Sequence, residues 1–80
     1  MSEYAYLAVN LRRYRAESGL TQAMVAQRAG AGFRQRYVSD LERGLCPSDP
    51  SHVKRLAVVF GVPETALLRR VRRRAVRAAA

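Results

Sequence analysis

The chain is 80 residues long, which fits one domain, and its formal net charge of +9 favours a polyanionic partner, either a nucleic acid or an anionic membrane surface. Its single cysteine, Cys46, and single histidine, His52, exclude an internal disulfide and any metal site built from clustered cysteines. No apolar run approaches the roughly 18–20 residues that span a bilayer, and the N-terminus lacks the features of a signal peptide, so we expect a cytoplasmic protein without a membrane partner.

Helical periodicity recurs five times along the chain, whereas no stretch shows a clean β alternation over more than a few residues. Ser2 can cap the first helix, which ends at Gly19. Thr21 can cap the second helix, which ends at Gly30. A third helix is predicted from about residue 34 to residue 43. The chain is therefore predicted to be all-α.

Two further helices follow the glycine that ends the third one, Gly44. Asp49 before Pro50 predicts the start of the fourth helix, because an acidic cap and a proline both suit a first turn. Gly61 ends this helix, and Pro63 opens the fifth. The apolar positions expected to share a core are Leu7, Leu11, Tyr14, Val25, Ala29, Val38, Leu41, Val53, Leu56, Ala57, Phe60, Ala66, Leu67, Leu68 and Val71.

Positive charge is concentrated at the C-terminal end of the chain. Residues 65–80 hold six arginines and no acidic residue, whereas residues 1–64 hold nine basic and six acidic residues. We therefore divide the chain into a folded domain, residues 1–68, and an arginine-rich extension, residues 69–80. The extension could continue the last helix along a phosphate backbone, form a disordered basic arm, or bind an acidic protein.

The third predicted helix has two chemically different faces. Val38 and Leu41 are its buried positions, and a polar stripe recurs at helical spacing on the other side. The residues of this stripe are Gln35, Arg36, Ser39, Asp40 and Arg43, with Tyr37 on its flank. Arginine, glutamine and serine can form hydrogen bonds with base edges in the major groove of DNA. Periodicity alone also fits an ordinary solvated face.

Three short motifs in residues 11–44 carry a family resemblance. They are Leu20-Thr21-Gln22 at the start of the second helix, Val25-Ala26 within it, and Val38-Ser39-Asp40-Leu41-Glu42-Arg43-Gly44 at the end of the third. The segment resembles the helix-turn-helix domain of the lambda Cro/repressor and Xre family, and the similarity extends over about residues 7–68. The resemblance implies a five-helix lambda-repressor-like fold. It also implies a protein located in the bacterial cytoplasm or nucleoid. The length is similar to that of the controller proteins of restriction–modification systems.

Two features depart from the family pattern. The segment from Gly30 to Val38 is two residues longer than the commonest turn of the family, so the docking angle of the third helix cannot be carried over. Pro47 stands one place earlier than the family's loop proline. The arginine-rich extension also lies outside the pattern.

The resemblance implies a phosphate contact for Gln22 in the first turn of the second helix, with a solvated side chain as the alternative. Gln35 and Arg36 suit base reading, since glutamine can pair with adenine and arginine with guanine. Arg34 and Arg43, at the two ends of the third helix, are expected to contact phosphates. The full set of predicted DNA-binding residues is Thr21, Gln22, Arg34, Gln35, Arg36, Tyr37, Ser39, Asp40 and Arg43.

Other expectations concern residues around this set. Asp40 is expected to pair with Arg36, one turn earlier, rather than to accept a hydrogen bond from cytosine. The resemblance implies a structural ion pair between Arg15 and Glu42. His52 is expected to be exposed. In this family the last helix often forms a dimer interface, which here would contain Leu67, Leu68 and Val71.

Together these observations predict a sequence-specific regulator of transcription that binds double-stranded DNA as a homodimer on a pseudo-palindromic operator. The alternative is an antitoxin or adaptor-type interaction protein on the same scaffold, with the basic tail binding a protein partner. No metal, cofactor or enzyme activity is expected, because one histidine and these spacings build neither a catalytic triad nor a ligand set.

Overall fold

A computed structural model of the chain describes residues 3–46 and 49–69. Within these ranges the helices are α1 (Glu3–Ser18), α2 (Gln22–Ala29), α3 (Gln35–Glu42), α4 (Pro50–Phe60) and α5 (Glu64–Leu68). All the regular secondary structure of the described residues is helical, which confirms the prediction of an all-α fold with five helices. None of these described helices combines the length and apolar character that crossing a membrane requires.

Capping interactions explain where two of the helices begin. The Thr21 hydroxyl oxygen accepts a hydrogen bond from the Met24 backbone N–H at 3.1 Å and so satisfies a free donor in the first turn of α2. An Asp49 carboxylate oxygen accepts from the Ser51 backbone N–H at 3.2 Å at the start of α4. Both caps were predicted from the sequence.

One hydrophobic core lies between the helices. α1 packs against α3 and α5, α2 packs against α3 and α4, and α4 packs against α5. Tyr14 on α1 and Phe60 on α4 stack beside this core with their ring centroids 5.9 Å apart. The buried residues of the core are Leu7, Leu11, Leu20, Val25, Ala26, Ala29, Phe33, Val38, Leu41, Val53, Leu56, Ala57 and Leu67. Because α1 and α2 both pack against α3, the opposite side of α3 is left for solvent.

The end of α5 corrects the predicted dimer interface. The helix ends at Leu68, and Leu67 has 0 % exposure because it packs into the core of its own chain. The prediction of Leu67 as a dimer contact was therefore wrong, since the family resemblance that implied an interface on the last helix does not show which of its side chains face the core of their own chain. Leu68 is half-buried against the same core. Val71, the third predicted contact, and Ser2, the predicted cap of α1, lie outside the described residues.

A buried asparagine joins α1 to the end of α5. Asn10 is 1 % exposed, and its Nδ2 donates to the carbonyl oxygens of Leu67 at 2.7 Å and of Arg69 at 2.8 Å. These acceptors lie at the C-terminal end of the helix, where carbonyl groups lack partners within the helix itself. Asn10 was not predicted, because one polar residue on an apolar face gives no sign of its partner.

Candidate nucleic-acid interface

α3 is a short helix with a divided surface. Val38 and Leu41 are 0 % and 1 % exposed, and they anchor the helix against the rest of the core. The backbone is extended at Arg34, immediately before the helix, and Gly44 follows it with a left-handed φ of 70°. Eight residues form only about two turns, so the position of α3 depends on tertiary packing rather than on intrinsic helix stability.

The outward side of α3 lines an open cleft of about 500 Å³, which we call the α3 cleft. Gln35, Arg36 and Arg43 are exposed there, and Ser39 and Asp40 are half-buried. The residues that line the α3 cleft are Gln22, Gln35, Arg36, Ser39, Asp40, Arg43 and Leu45. The structure thus brings together six of the nine side chains that the sequence analysis assigned to DNA binding.

The other three predicted residues do not line the α3 cleft. Thr21 and Arg34 are exposed, the first as the cap of α2 and the second just before α3. Tyr37 is half-buried and packs against the core. The α3 cleft also contains Leu45, a 63 % exposed leucine that was not predicted because it follows α3 and lies outside the helical stripe.

A partly buried ion pair joins α1 to α3. The Arg15 Nε and Nη2 atoms donate to the Glu42 carboxylate at 2.5 and 3.1 Å, and Nη1 donates to the Leu20 carbonyl at 3.1 Å. Glu42 is 3 % exposed. Its hydrogen bond with Arg15 raises the pKa of that guanidinium above the ordinary arginine value. The structure therefore forms the pair that the family resemblance implied, and it places the charge of Glu42 inside the domain.

Gln22 belongs to the same network. Its Nε2 donates to the Glu42 carboxylate at 3.0 Å, and its side chain is half-buried at the edge of the α3 cleft. The simply solvated alternative for Gln22 was therefore wrong. A glutamine amide has a second N–H and a carbonyl oxygen, so the phosphate contact stays a prediction. The network connects α1, α2 and α3 beside the α3 cleft.

Comparison with known proteins identifies this arrangement. A family model described as a helix-turn-helix domain matches residues 7–69. The chain belongs to the helix-turn-helix family. A crystal structure of a hypothetical transcription factor, NHTF from Neisseria, is similar to this helix-turn-helix domain with a TM-score of 0.76 and 31 % sequence identity, over 84 % of this chain and 75 % of that chain. No curated protein sequence matches the chain.

The turn of the helix-turn-helix unit, residues 30–34, contains a core residue. Phe33 is 8 % exposed and packs in the same core as Val38. The two residues occupy the positions of a hydrophobic staple, one before the cap residue Arg34 and one in the fourth position of α3. This pattern is visible in the sequence and could have identified Phe33 as buried.

Arg55 on α4 binds the end of α2 and the turn that follows it. Its Nε donates to the Ala29 carbonyl at 3.0 Å, and its Nη2 donates to the Ala31 carbonyl at 2.5 Å. The guanidinium also lies over the ring of Phe33, 5.3 Å from the ring centroid. One side chain of α4 therefore satisfies two backbone acceptors of the helix-turn-helix unit and covers its buried aromatic ring.

His52 on α4 contacts the same turn and the first turn of α3. Its ring packs against the rings of Phe33 and Tyr37, with centroid distances of 4.9 and 5.4 Å. Its Nδ1 lies 2.8 Å from Tyr37 Oη, a hydrogen bond whose donor depends on the histidine tautomer. The expectation that His52 is exposed was therefore wrong, because it is half-buried where it packs against the rings of Phe33 and Tyr37. We call Phe33, Tyr37, His52 and Arg55 the turn cluster.

Asp40 does not form the predicted ion pair with Arg36. Among the described residues, one ion pair joins Arg15 to Glu42 and the other lies within α1. An acidic residue four positions after a basic one has the less favourable orientation for a helical ion pair. The Asp40 carboxylate therefore lies half-buried in the α3 cleft without that pairing.

Burial raises the pKa of the Cys46 thiol, and the charge of Asp40 adds to the effect.

The chemistry that the α3 cleft offers is hydrogen bonding. Its guanidinium and amide groups can donate to base edges and phosphates, and its amide, hydroxyl and carboxylate oxygens can accept from bases. Within residues 3–46 and 49–69, no group of three or more histidine, cysteine, aspartate or glutamate residues is placed to hold a metal ion.

Proposed function

We propose that this chain is a transcriptional regulator that recognises a specific sequence of duplex DNA through α3 and acts as a homodimer. The orientation of α3 carries the proposal: Val38 and Leu41 face the core, so Gln35 and Arg36 stand exposed in the first turn. A major groove about 12 Å wide admits an α-helix and presents a different hydrogen-bonding pattern for each base pair. The Neisseria relative is described as a hypothetical transcription factor, which supports the regulatory role.

Gln35 and Arg36 are the base-reading residues of this proposal. An arginine guanidinium can donate two hydrogen bonds to guanine O6 and N7, and a glutamine amide can pair with adenine N6 and N7. Ser39, one turn later, can contact either a base or a phosphate. Asp40 can accept a hydrogen bond from cytosine N4, since its carboxylate is not held by Arg36.

Phosphate contacts position the domain on the duplex. Arg34 and Arg43 lie exposed at the two ends of α3, where they can reach the backbones that border the groove. Thr21 and Gln22 lie at the N-terminus of α2, where free backbone N–H groups and the helix dipole favour an anion. The net charge of +9 adds a long-range attraction to DNA.

Two copies of the domain are proposed because one eight-residue helix reads only a few base pairs. Two α3 helices about 34 Å apart, one turn of B-DNA, can enter successive major grooves on the same side of the duplex. Because two identical subunits are related by a two-fold axis, the site would be pseudo-palindromic. Leu67 is not part of the proposed contact between the copies, whereas Leu68 and Val71 remain in it.

The test compares Arg36→Ala with Arg12→Ala, which removes an exposed arginine from α1 instead. The first duplex carries a sequence that the wild-type chain enriches from a pool of random DNA, and we call it the selected duplex. Fluorescence anisotropy measures the affinity of each protein for the selected duplex and for a random duplex at the same salt concentration. Arg36→Ala is expected to cost about 1–3 kcal/mol on the selected duplex and to leave random binding nearly unchanged. Arg12→Ala is expected to affect both duplexes slightly and equally. Equal losses on both duplexes for Arg36→Ala would exclude this residue from base reading.

A further inference from the structure

The five residues between α2 and α3 contain one backbone hydrogen bond, from the Phe33 N–H to the Gly30 carbonyl oxygen at 3.1 Å, and otherwise do little to fix the direction of α3. Gly30 and Gly32 have φ values of 96° and 91°, a region that suits glycine and leaves the backbone permissive. The cap position of α3, Arg34, makes no side-chain capping hydrogen bond, and the first turn carries no acidic residue. The direction of α3 therefore comes from tertiary contacts.

Two residues of the turn cluster, His52 and Arg55, supply these contacts from α4. Arg55 binds two carbonyl groups, one at the end of α2 and one in the turn. A Cβ atom on Gly30 would lie only 3.1 Å from Arg55 Nη2, so the guanidinium packs closely against the backbone of the turn. The His52 ring contacts both Phe33 and Tyr37. Side-chain contacts thus join the first turn of α3 to α4, in addition to the backbone that connects them.

The Tyr37–His52 hydrogen bond is the link that lies next to the base-reading side chains. Tyr37 follows Arg36 directly in the first turn of α3, whereas Val38 and Leu41 anchor the middle and the end of the helix. A bond of 2.8 Å in the first turn restricts rotation of the helix about that anchor. Both partners are half-buried, so the bond is partly shielded from water.

We propose that Tyr37 and His52 are positioning residues whose hydrogen bond sets the orientation in which α3 presents Arg36 to base edges. This inference rests on the proposed reading of DNA by α3. Base-edge hydrogen bonds need donor–acceptor distances of about 2.7–3.2 Å and weaken steeply when misaligned. Phosphate contacts carry no direct sequence information. Loss of the Tyr37–His52 bond therefore lowers the preference for one sequence more than the affinity for DNA in general.

Four variants of the full chain test this role. Tyr37→Phe removes the hydroxyl and keeps the ring contacts, and His52→Ala removes the imidazole. His52→Asn restores a short polar group that can donate or accept a hydrogen bond near the position of Nδ1. Tyr14→Phe is the matched control, because it removes a hydroxyl from a half-buried tyrosine of α1 whose ring stacks on Phe60.

Fluorescence anisotropy measures the affinity of each variant for the selected and the random duplex over a range of salt concentrations, at a temperature where circular dichroism shows it folded. Tyr37→Phe and His52→Ala are expected to lower the ratio of the two affinities about fivefold, the effect of roughly one hydrogen bond. The salt dependence is expected to stay unchanged, because neither substitution removes an arginine or lysine charge that can neutralise a phosphate. His52→Asn is expected to recover most of the ratio, and Tyr14→Phe to keep it.

Two outcomes would overturn the role of the bond. The first is that Tyr37→Phe and His52→Ala leave the affinity for each duplex unchanged, and the second is that they lower both affinities equally, since the ratio stays the same in either case. Either outcome would leave the proposed function intact if the wild-type chain prefers the selected duplex. A wild-type chain that binds both duplexes equally would overturn the proposed function, and the positioning role with it.

Discussion

At the level of single residues, the stability of the domain depends on the hydrogen-bond donors that surround the buried Glu42 carboxylate. The carboxylate is 3 % exposed and accepts from Arg15 and Gln22. A buried carboxylate that loses its cation is costly, because the free energy of its desolvation is no longer offset. Arg15 should therefore contribute more to stability than the exposed arginines of the same helix.

Arg15→Ala is expected to lower the free energy of unfolding by about 3 kcal/mol, because it leaves the Glu42 charge buried without a cation. Arg12→Ala, on the exposed side of α1, is expected to change it by less than about 0.5 kcal/mol. Urea denaturation followed by circular dichroism measures both values. If both substitutions changed the free energy of unfolding equally little, the burial of the Glu42 carboxylate would not depend on its ion pair with Arg15.

The sequence predicts the direction of side chains better than it predicts their partners. Helical spacing placed Gln35 and Arg36 on the outward side of α3, where the structure has them exposed, because α3 has a regular apolar anchor. The partners of Asn10 and His52 were not predictable in this way. Asn10 bonds to carbonyl groups 57 and 59 positions away, and His52 bonds to a tyrosine 15 positions away. Such pairs depend on how the helices pack and leave no periodic signal.

At the level of helices, the packing of α2 depends on a small side chain. Ala26 is 6 % exposed in the core, whereas Ala23 on the same helix is exposed. A larger side chain at the buried position has no space unless the neighbouring helices move apart. The two alanines therefore form a matched pair for the same substitution.

Ala26→Leu is expected to lower the free energy of unfolding by about 1–3 kcal/mol through overpacking. Ala23→Leu is expected to stay within about 0.5 kcal/mol of the wild-type value, because the added atoms remain in solvent. Urea denaturation at one temperature compares the two. If Ala26→Leu proved as stable as Ala23→Leu, the close packing of α2 would be contradicted.

The starts of α2 and α4 followed from local sequence, whereas the end of α5 did not. The apolar pattern continues to Val71, but the helix ends at Leu68. Arg69 has an extended backbone with a ψ of 142°, and Asn10 binds its carbonyl oxygen together with that of Leu67. A residue of α1 thus occupies the acceptors at the end of α5, and this contact is not visible in the sequence around α5.

At the level of the whole molecule, we expect positive charge outside α3 to add affinity for DNA without sequence preference. Residues 65–80 carry six arginines and no acidic residue. Arg69 is the first of these arginines, and its carbonyl oxygen accepts a hydrogen bond from Asn10. Because the backbone of Arg69 is part of this contact with α1, a test of the extension leaves Arg69 undisturbed and changes the arginines beyond it.

Replacement of Arg70, Arg72, Arg73, Arg74 and Arg77 by glutamine in the full chain isolates this charge. If a wild-type dimer makes about 8 phosphate contacts, its affinity should fall with salt with a log–log slope of about −7. The variant is expected to show a shallower slope and the same sequence preference. An unchanged slope and affinity would contradict a DNA-binding role of the extension and favour a protein partner.

Sequence reading by α3 is tested most directly by selecting bound sequences from a pool of random duplex DNA with the wild-type chain. Two α3 helices related by a two-fold axis predict an enriched pseudo-palindrome whose half-site centres lie about 10 base pairs apart. If the bound DNA stays random in sequence and the affinity varies only with the salt concentration, sequence reading by α3 would be contradicted.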